Sequence, residues 1–179
     1  MCVAVSLTGR QGLIMLELRT LESDDWPLWR ELRLAALAEA PHAFGSTLAE
    51  WQGAGDREDR WRSRLSIPGA CDSVVLLDGL AVGMVSGVPG EDSDVVELIS
   101  MWVSPTARGR GVGDCLIQAV ERYAVERGAT TLRLSVMPDN GDAIALYERN
   151  GFADTGELGG VRPDGVSRER VLAKRLGAV

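Results

Sequence analysis

The sequence predicts a mixed α/β domain built around one central sheet. Three observations support this: strand-like apolar runs alternate with amphipathic helices, turn residues separate them, and no repeat or linker divides the chain. With 179 residues, 45% of them hydrophobic and 25% charged, the chain can bury a sizeable core. We therefore expect one domain over residues 15–179, preceded by an extension at 1–14.

The first elements are a strand, a helix and a loop. Residues 16–21, LELRTL, alternate apolar and polar side chains as a strand does. Asp24 or Asp25 can accept hydrogen bonds from the first amides of a helix over 26–40, whose leucines form an apolar stripe. PHAFGST, residues 41–47, is expected to be a loop.

A second helix and a hairpin follow. Residues 48–65 predict a more polar helix, interrupted by two glycines, with Trp51 and Trp61 facing inward. DSVVLLDG and LAVGMVSGVPG then read as two paired strands. The hairpin should turn at Asp78-Gly79, because this dipeptide adopts positive φ at low cost.

The C-terminal half alternates strands and helices. VVELISMWV at 95–103 is the most apolar strand, and SPTARGRGVGDCLIQAVERYA after it leads into an amphipathic helix that should stop at Gly128. The remaining expected elements are a strand at 130–137, a short helix at 139–150, and two weaker strands at 152–158 and 167–176.

Charge and hydropathy exclude two classes of partner. The net charge of −7 provides no basic face for nucleic acid and weakly favours cationic partners. The apolar N-terminal stretch is broken at Gly9, Arg10 and Gly12, so no segment should span a membrane. We expect a protein that binds neither nucleic acid nor membrane.

Cysteine and histidine content argues against disulfides and metals. Cys2, Cys71 and Cys115 form no C-x-x-C pair, which is typical of a reducing compartment and predicts a cytoplasmic protein. Because His42 is the only histidine, a multi-histidine metal site is impossible, and no G-x-S-x-G motif accompanies it. Cys115 is expected to be a buried structural thiol.

The glycines at 109, 111 and 113 predict an anion site. Without Cβ atoms the backbone can take positive φ and approach a bulky anion, and the first turn of the following helix offers unpaired amides. A Walker A loop is excluded because no Gly-Lys follows, and G-x-G-x-x-G would need glycine at Asp114 or Leu116. The glycines could instead serve only a tight turn.

Two sequence blocks resemble one family. Arg108-x-x-Gly111-x-Gly113, between a strand and an amphipathic helix, resembles the acetyl-CoA pyrophosphate loop of GNAT N-acetyltransferases. Asn140-x-x-Ala143-x-x-x-Tyr147-x-x-x-Gly151-Phe152 resembles a second block of that family. The matched region covers residues 95–152, and the N-terminal half agrees only in the order of its elements.

The resemblance implies a GNAT-like fold and an acetyl-CoA cofactor. Its central sheet is mostly antiparallel, with six to seven strands, about four helices, and a splay between the fourth and fifth strands that holds the pantetheine. By position, the Met101 amide would polarise the thioester carbonyl. The cofactor contacts implied in this way are Met101, Val103, Arg108, Gly109, Arg110, Gly111, Val112, Gly113, Asn140, Ala143 and Tyr147.

Two side chains are candidates for proton transfer. Glu97 is the only acid in its apolar strand and could deprotonate an ammonium before attack, or it could be a solvated or ion-paired edge residue. The resemblance gives Tyr147 the role of protonating the leaving thiolate, although it could be a core aromatic. Asn140 could cap a helix, bind the pantetheine arm, or do both.

Three functions remain open from the sequence. The first is an acetyltransferase acting on the primary amine of a small molecule, with the loop around His42 over the acceptor pocket. The second is an acetyltransferase for protein N-termini or lysines, which shares the cofactor loop. The third is a catalytically silent acyl-CoA-binding module, which the presence of both Glu97 and Tyr147 disfavours. A homodimer is left open.

Overall fold

The part of the chain that the structure describes contains eight strands and four α-helices. The structure is a computed structural model that describes residues 3–9, 12–161 and 167–177. The strands are β1 Val3–Gly9, β2 Gly12–Thr20, β3 Cys71–Leu77, β4 Leu80–Pro89, β5 Val95–Val103, β6 Thr131–Val136, β7 Ala153–Val161 and β8 Arg168–Arg175. The helices are α1 Trp26–Glu39, α2 Glu58–Arg64, α3 Val112–Glu126 and α4 Gly141–Arg149.

The strands form one sheet in the order β1-β2-β3-β4-β5-β6-β8-β7. All neighbouring pairs are antiparallel except β5 and β6, which confirms the expected mostly antiparallel sheet. The seven strands expected from the sequence correspond to β2–β8. β1 is additional: it lies in the segment expected to be an extension and pairs with β2 from Val3 opposite Leu18 to Gly9 opposite Gly12. Cys2 lies outside the described residues.

The expected second helix is shorter than the sequence indicated. Only Glu58–Arg64 is α-helical, and short 3₁₀ turns occupy 49–51 and 53–55. The reason is local: Gln52 is extended and Gly53 has a φ of +56°, which ends helical geometry there. Trp61 is fully buried as expected, and the half-buried Trp51 packs on it with ring centroids 4.5 Å apart.

Two apolar clusters cover the two faces of the sheet. The larger lies against α3 and α4 and includes Val85, Leu116 and Tyr147. The other lies against α1 and α2 and includes Trp29, Trp61 and Met84. Alternate residues of β3 and β4 supply the two clusters, which is the period-two pattern of strands buried on both faces.

Two glycines of β4 allow α3 to lie close to the sheet. A Cβ built on Gly83 would meet Val112 Cγ1 at 2.9 Å and the Trp102 carbonyl oxygen at 3.2 Å. A Cβ on Gly87 would meet Val120 Cγ1 at 2.9 Å. Because α3 begins at the predicted anion site, these glycines help to set the position of that helix end.

We expect Gly83→Ala to lower the free energy of unfolding by about 1–3 kcal/mol, since the added methyl has no room and its neighbours include backbone. Urea denaturation measures the change. Gly141→Ala is the matched control, because its Cβ would meet nothing within 4 Å at the start of α4. Equal stability of Gly83→Ala and the wild type would show that α3 shifts freely.

Candidate active site

Strands β5 and β6 separate beyond one point. Their parallel pairing runs from Val95 opposite Thr131 to Glu97 opposite Arg133 and ends there. From Leu98 onward β5 keeps only its pairing with β4. A gap therefore opens between the ends of the two strands. This is the expected splay, because β5 and β6 are the fourth and fifth of the seven strands that the sequence predicted. Glu97 lies at the last paired position.

A bulge turns the β5 backbone inside this gap. The β4–β5 register shifts between Met84 and Ser86, and Ser100 has a φ of +55°, which is unusual for a non-glycine residue. Further along, the Ser104 amide donates to the Val82 carbonyl at 2.7 Å. Since neighbouring residues of a strand point their amides to opposite sides, the Val103 amide and carbonyl face the gap.

The start of α3 offers unpaired amides. Gly111 is the N-cap in a left-handed conformation, with a φ of +80°, and Gly109 also has positive φ at +73°. The first helical bond runs from the Cys115 amide to the Gly111 carbonyl at 3.0 Å. The amides of Val112 and Gly113 thus have no partner within the helix, and they lie at the positive end of the helix dipole, which is the geometry that an anion site needs.

Arg108 bridges the loop to α1. Its Nη2 donates to Glu39 Oε2 at 2.8 Å and its Nε donates to the Val103 carbonyl at 3.2 Å. A hydrogen bond from Trp102, followed by the Arg108 ion pair, holds the pKa of Glu39 below its usual value. The guanidinium is therefore held beside the gap and paired with a carboxylate. Arg110 is exposed.

Gly113 has a packing reason for lacking a side chain. From the sequence, the three glycines are expected to allow approach to an anion or to serve a tight turn, but a Cβ on Gly113 would meet Leu146 Cδ2 at 2.9 Å. The absence of a side chain at Gly113 therefore also makes room for the end of the Leu146 side chain of α4. Asp114, one residue on, accepts hydrogen bonds from Arg149 and Asn150, which outweigh its burial and lower its pKa.

Asn140 precedes α4, and Tyr147 lies within this helix. Asn140 is the N-cap, and its Oδ1 accepts from the Ala143 amide at 3.3 Å, as expected for a capping residue. Tyr147 is buried and contacts Phe152 edge to face, with ring centroids 5.8 Å apart. Burial raises the pKa of the Tyr147 phenol well above its ordinary value, so the phenol keeps its proton.

A cavity of about 520 Å³ lies at the splay. Glu97 is half-buried and lines it, together with the loop that follows His42. The lining residues are Trp29, Arg33, Ala43, Phe44, Gly45, Ser46, Trp51, Arg64, Glu97, Leu98, Ile99, Ser100, Arg133, Leu134, Ser135 and Glu169. The volume is in the range of small-ligand pockets.

Three arginines line this cavity, and sequence reasoning missed them. Arg64 is paired with the buried Asp72 at 3.1 Å and also donates to Ser86 and Ser100. Arg133 is paired with Glu157 at 2.6 Å. Arg33 was detectable in principle, because it interrupts the apolar stripe of α1 between two leucines.

Neither metal nor thiol chemistry is supported in the part of the chain that the structure describes. These residues contain no group of three or more potential metal ligands. Cys71 and Cys115 are half-buried, and burial raises the pKa of both thiols, which disfavours a thiolate nucleophile. No helix among them has the length and apolar character needed to cross a membrane.

The candidate site consists of a glycine-capped helix end, a splayed parallel strand pair and an adjoining cavity, and its geometry suits an anionic cofactor beside a second ligand. Comparison with known families agrees with this architecture. The profile of the acetyltransferase (GNAT) family matches residues 17–152, more than half of the chain. The chain therefore belongs to this family, which confirms the resemblance of the two sequence blocks.

Three similar proteins illustrate the relationship. L-2,4-diaminobutyric acid acetyltransferase of Nocardia farcinica is 41% identical over 75 residues, which is 41% of this chain and 39% of that protein. Mycothiol acetyltransferase of Renibacterium salmoninarum is 27% identical over 77% of this chain and 40% of its own length. This chain thus spans less than half of each of these two relatives.

The third similar protein is an acetyltransferase from Salmonella typhimurium, whose solved structure contains its cofactor acetyl-CoA. It superposes with a TM-score of 0.71 over 92% of this chain and 95% of its own. Its sequence identity is 19%, so the likeness establishes the fold.

Proposed function

We propose that the protein transfers the acetyl group of acetyl-CoA to the primary amine of a small molecule, by direct attack in a ternary complex. The observation that carries this proposal is the cavity of about 520 Å³ beside Glu97, where β5 and β6 separate. A cavity of this size matches a small ligand. The two alternative functions are a protein acetyltransferase and a catalytically silent acyl-CoA-binding module.

The residues of the gap fit the cofactor. The pyrophosphate would lie on the free amides of Val112 and Gly113, where the helix dipole is positive. The pantetheine would pair with the Val103 backbone, which faces the gap. Next to the bulge, the Met101 amide would donate to the thioester oxygen, stabilising the negative charge that develops there on attack.

The reaction removes two protons from the attacking nitrogen and delivers one to the leaving sulfur. The amine nitrogen attacks the thioester carbonyl carbon, the new C–N bond forms, and the C–S bond breaks as the tetrahedral intermediate collapses. Glu97 accepts the proton that the ammonium must lose, directly or through water. Tyr147 donates a proton to the departing thiolate and regains one from the second proton that the attacking nitrogen loses, directly or through water. Its raised pKa keeps that proton available at neutral pH.

Names of relatives support a small acceptor. One relative is named for L-2,4-diaminobutyric acid and another for mycothiol, and both are small molecules. One part of the cavity lining is buried, at Trp29, Leu98 and Leu134, which agrees with a small ligand that is partly enclosed. A protein substrate would need a groove long enough for an extended chain.

A screen of acceptors tests the proposal. Purified protein with acetyl-CoA is offered free amino acids, polyamines, amine antibiotics, and peptides with free N-termini or lysines, and released CoA thiol is detected. We expect turnover with at least one small amine above all the peptides. Faster turnover with a peptide would replace the proposal with a protein acetyltransferase. Tight acetyl-CoA binding without any acetylated acceptor would favour the silent binding module.

We expect Tyr147→Phe to lower kcat by about tenfold at nearly unchanged affinity for acetyl-CoA, because only the transition state uses the hydroxyl. Steady-state kinetics and calorimetry with acetyl-CoA measure the two quantities. Tyr123→Phe is the control, since Tyr123 is the only other tyrosine of the sequence. It lies near the C-terminal end of α3, away from the glycine loop, and its hydroxyl donates to the Gly69 carbonyl. Unchanged kcat in Tyr147→Phe would leave Tyr147 a core aromatic.

A further inference from the structure

The cavity contains a positive charge that no described residue compensates. Arg33 is 8% exposed and makes no hydrogen bond or ion pair with any described residue, and its buried Nη1 has no partner. Its guanidinium carbon lies 4.7 Å from the centroid of the Phe44 ring. Both side chains line the cavity.

The other two arginines of the cavity differ from Arg33. Arg64 has its charge balanced by Asp72, and Arg133 has its charge balanced by Glu157. Burial, and then the nearby charge of Arg64, lower the pKa of Arg33 to about 10, so it is still protonated at neutral pH. A buried, unpaired cation destabilises the fold unless a ligand supplies the opposite charge.

A second unpaired donor lines the same cavity. Trp51 Nε1 is buried and has no hydrogen-bond partner among the described residues. The indole N–H and the guanidinium are both donors only, so neither can satisfy the other. A group that offers only acceptor oxygens and carries one negative charge would satisfy both. A carboxylate has this chemistry, and guanidinium binds it through paired hydrogen bonds.

We propose that the acceptor is an amino acid or a similar small amino carboxylate, whose carboxylate binds Arg33 and Trp51 while its ammonium lies toward Glu97. This inference rests on the proposed function and names its substrate class. The charges of the cavity match a zwitterion: Arg33 is an uncompensated cation for the carboxylate, and two half-buried acids, Glu97 and Glu169, favour the ammonium. A dianionic phosphate would bring two negative charges to a cavity in which only the positive charge of Arg33 is uncompensated.

Matched acceptors test the carboxylate. The proteinogenic L-amino acids and L-2,4-diaminobutyrate are compared with the carboxamide of each, which keeps the amine and replaces the carboxylate by a neutral amide. We expect kcat/KM for the best amino acid to exceed that of its carboxamide by at least about tenfold. In Arg33→Met, kcat/KM for the amino acid should fall about 10- to 100-fold, mainly through KM, and kcat/KM for the carboxamide should change little. Trp51→Phe should also lower the ratio of kcat/KM for the amino acid to kcat/KM for its carboxamide, but by a smaller factor than Arg33→Met does.

Stability provides a readout that does not depend on catalysis. Because Arg33 is an unpaired buried charge without ligand, Arg33→Met should raise Tm by about 2–4 °C. The best amino acid should raise Tm of the wild type and fail to do so in Arg33→Met. Arg57→Met is the control, since it removes the same charge from an exposed site outside the cavity.

The outcomes separate the two proposals. Equal use of amino acids and carboxamides, or equal loss of both in Arg33→Met, would overturn the carboxylate site while leaving a small-amine acetyltransferase. Acetylation of peptides alone would overturn the proposed function. If no acceptor is acetylated, the absence of any thermal shift with amino acids would overturn the site, whereas an Arg33-dependent shift would support it.

Discussion

Gly111→Glu is expected to weaken acetyl-CoA binding at least a hundredfold in calorimetry, the largest effect on binding that we predict. The N-cap at this position has a φ of +80°, and its neighbours Val112 and Gly113 present the unpaired amides of α3. A carboxylate placed there would occupy those amides and repel the pyrophosphate. Several phosphate contacts would be lost together.

The matched control is Gly128→Glu. Gly128 follows the other end of α3 with a φ of +76°, and a Cβ there would meet nothing within 4 Å. Both variants therefore carry the same new charge and the same backbone strain, about 1–2 kcal/mol for a side chain in this region. Only Gly111→Glu should lose the cofactor. Normal affinity in Gly111→Glu, or equal loss in both variants, would remove the helix end as the pyrophosphate site.

Much of the fold was predictable because its signals are local. The turn at Asp78-Gly79 does carry two positive φ values, 51° and 83°, and Gly128 ends α3 in the left-handed conformation. The additional strand β1 was not predictable, because Gly9 and Gly12 suggested a break in the chain. In the structure these two glycines lie opposite each other at the end of the β1–β2 pairing.

The glycine loop of the candidate site was easier to find from the sequence than the cavity. A glycine loop before a helix is contiguous in sequence, so its chemistry can be read from spacing. The cavity instead combines Arg33 of α1, Arg64 of α2, Arg133 of β6 and Glu169 of β8, which only the fold brings together. Gly113 shows a further limit, because its contact with Leu146 of α4 depends on packing between distant segments.

Glu97→Gln is expected to lower kcat about a hundredfold at neutral pH, the usual range for lost general-base catalysis. An acceptor amine arrives mostly as an ammonium without a lone pair, and an amide side chain cannot take its proton. The substitution keeps size and hydrogen-bonding capacity in a strand residue that is half-buried at the last paired position of β5. Folding and acetyl-CoA affinity should therefore be unchanged.

The pH profile distinguishes lost base catalysis from lost binding. As pH rises from 6 to 10, a growing fraction of the amine is already deprotonated, so kcat/KM of Glu97→Gln should rise by about tenfold per unit until the amine is neutral. In the wild type, kcat/KM should reach its plateau at a lower pH. If kcat/KM of Glu97→Gln is instead lower than that of the wild type by the same factor at every pH, Glu97 would be assigned to acceptor binding.

Glu169→Gln is the contrast within the same cavity. Glu169 lines the cavity from β8, which is separated from β5 by β6 and therefore lies farther from the Met101 amide along the sheet. If Glu97 is the base, Glu169→Gln should keep kcat within about threefold of the wild type. The reverse pattern, with a large loss at Glu169 and wild-type turnover in Glu97→Gln, would move the proton acceptor to β8. Because both variants remove one negative charge from one cavity, a general electrostatic effect would lower both rates alike, whereas a base acts from a single position.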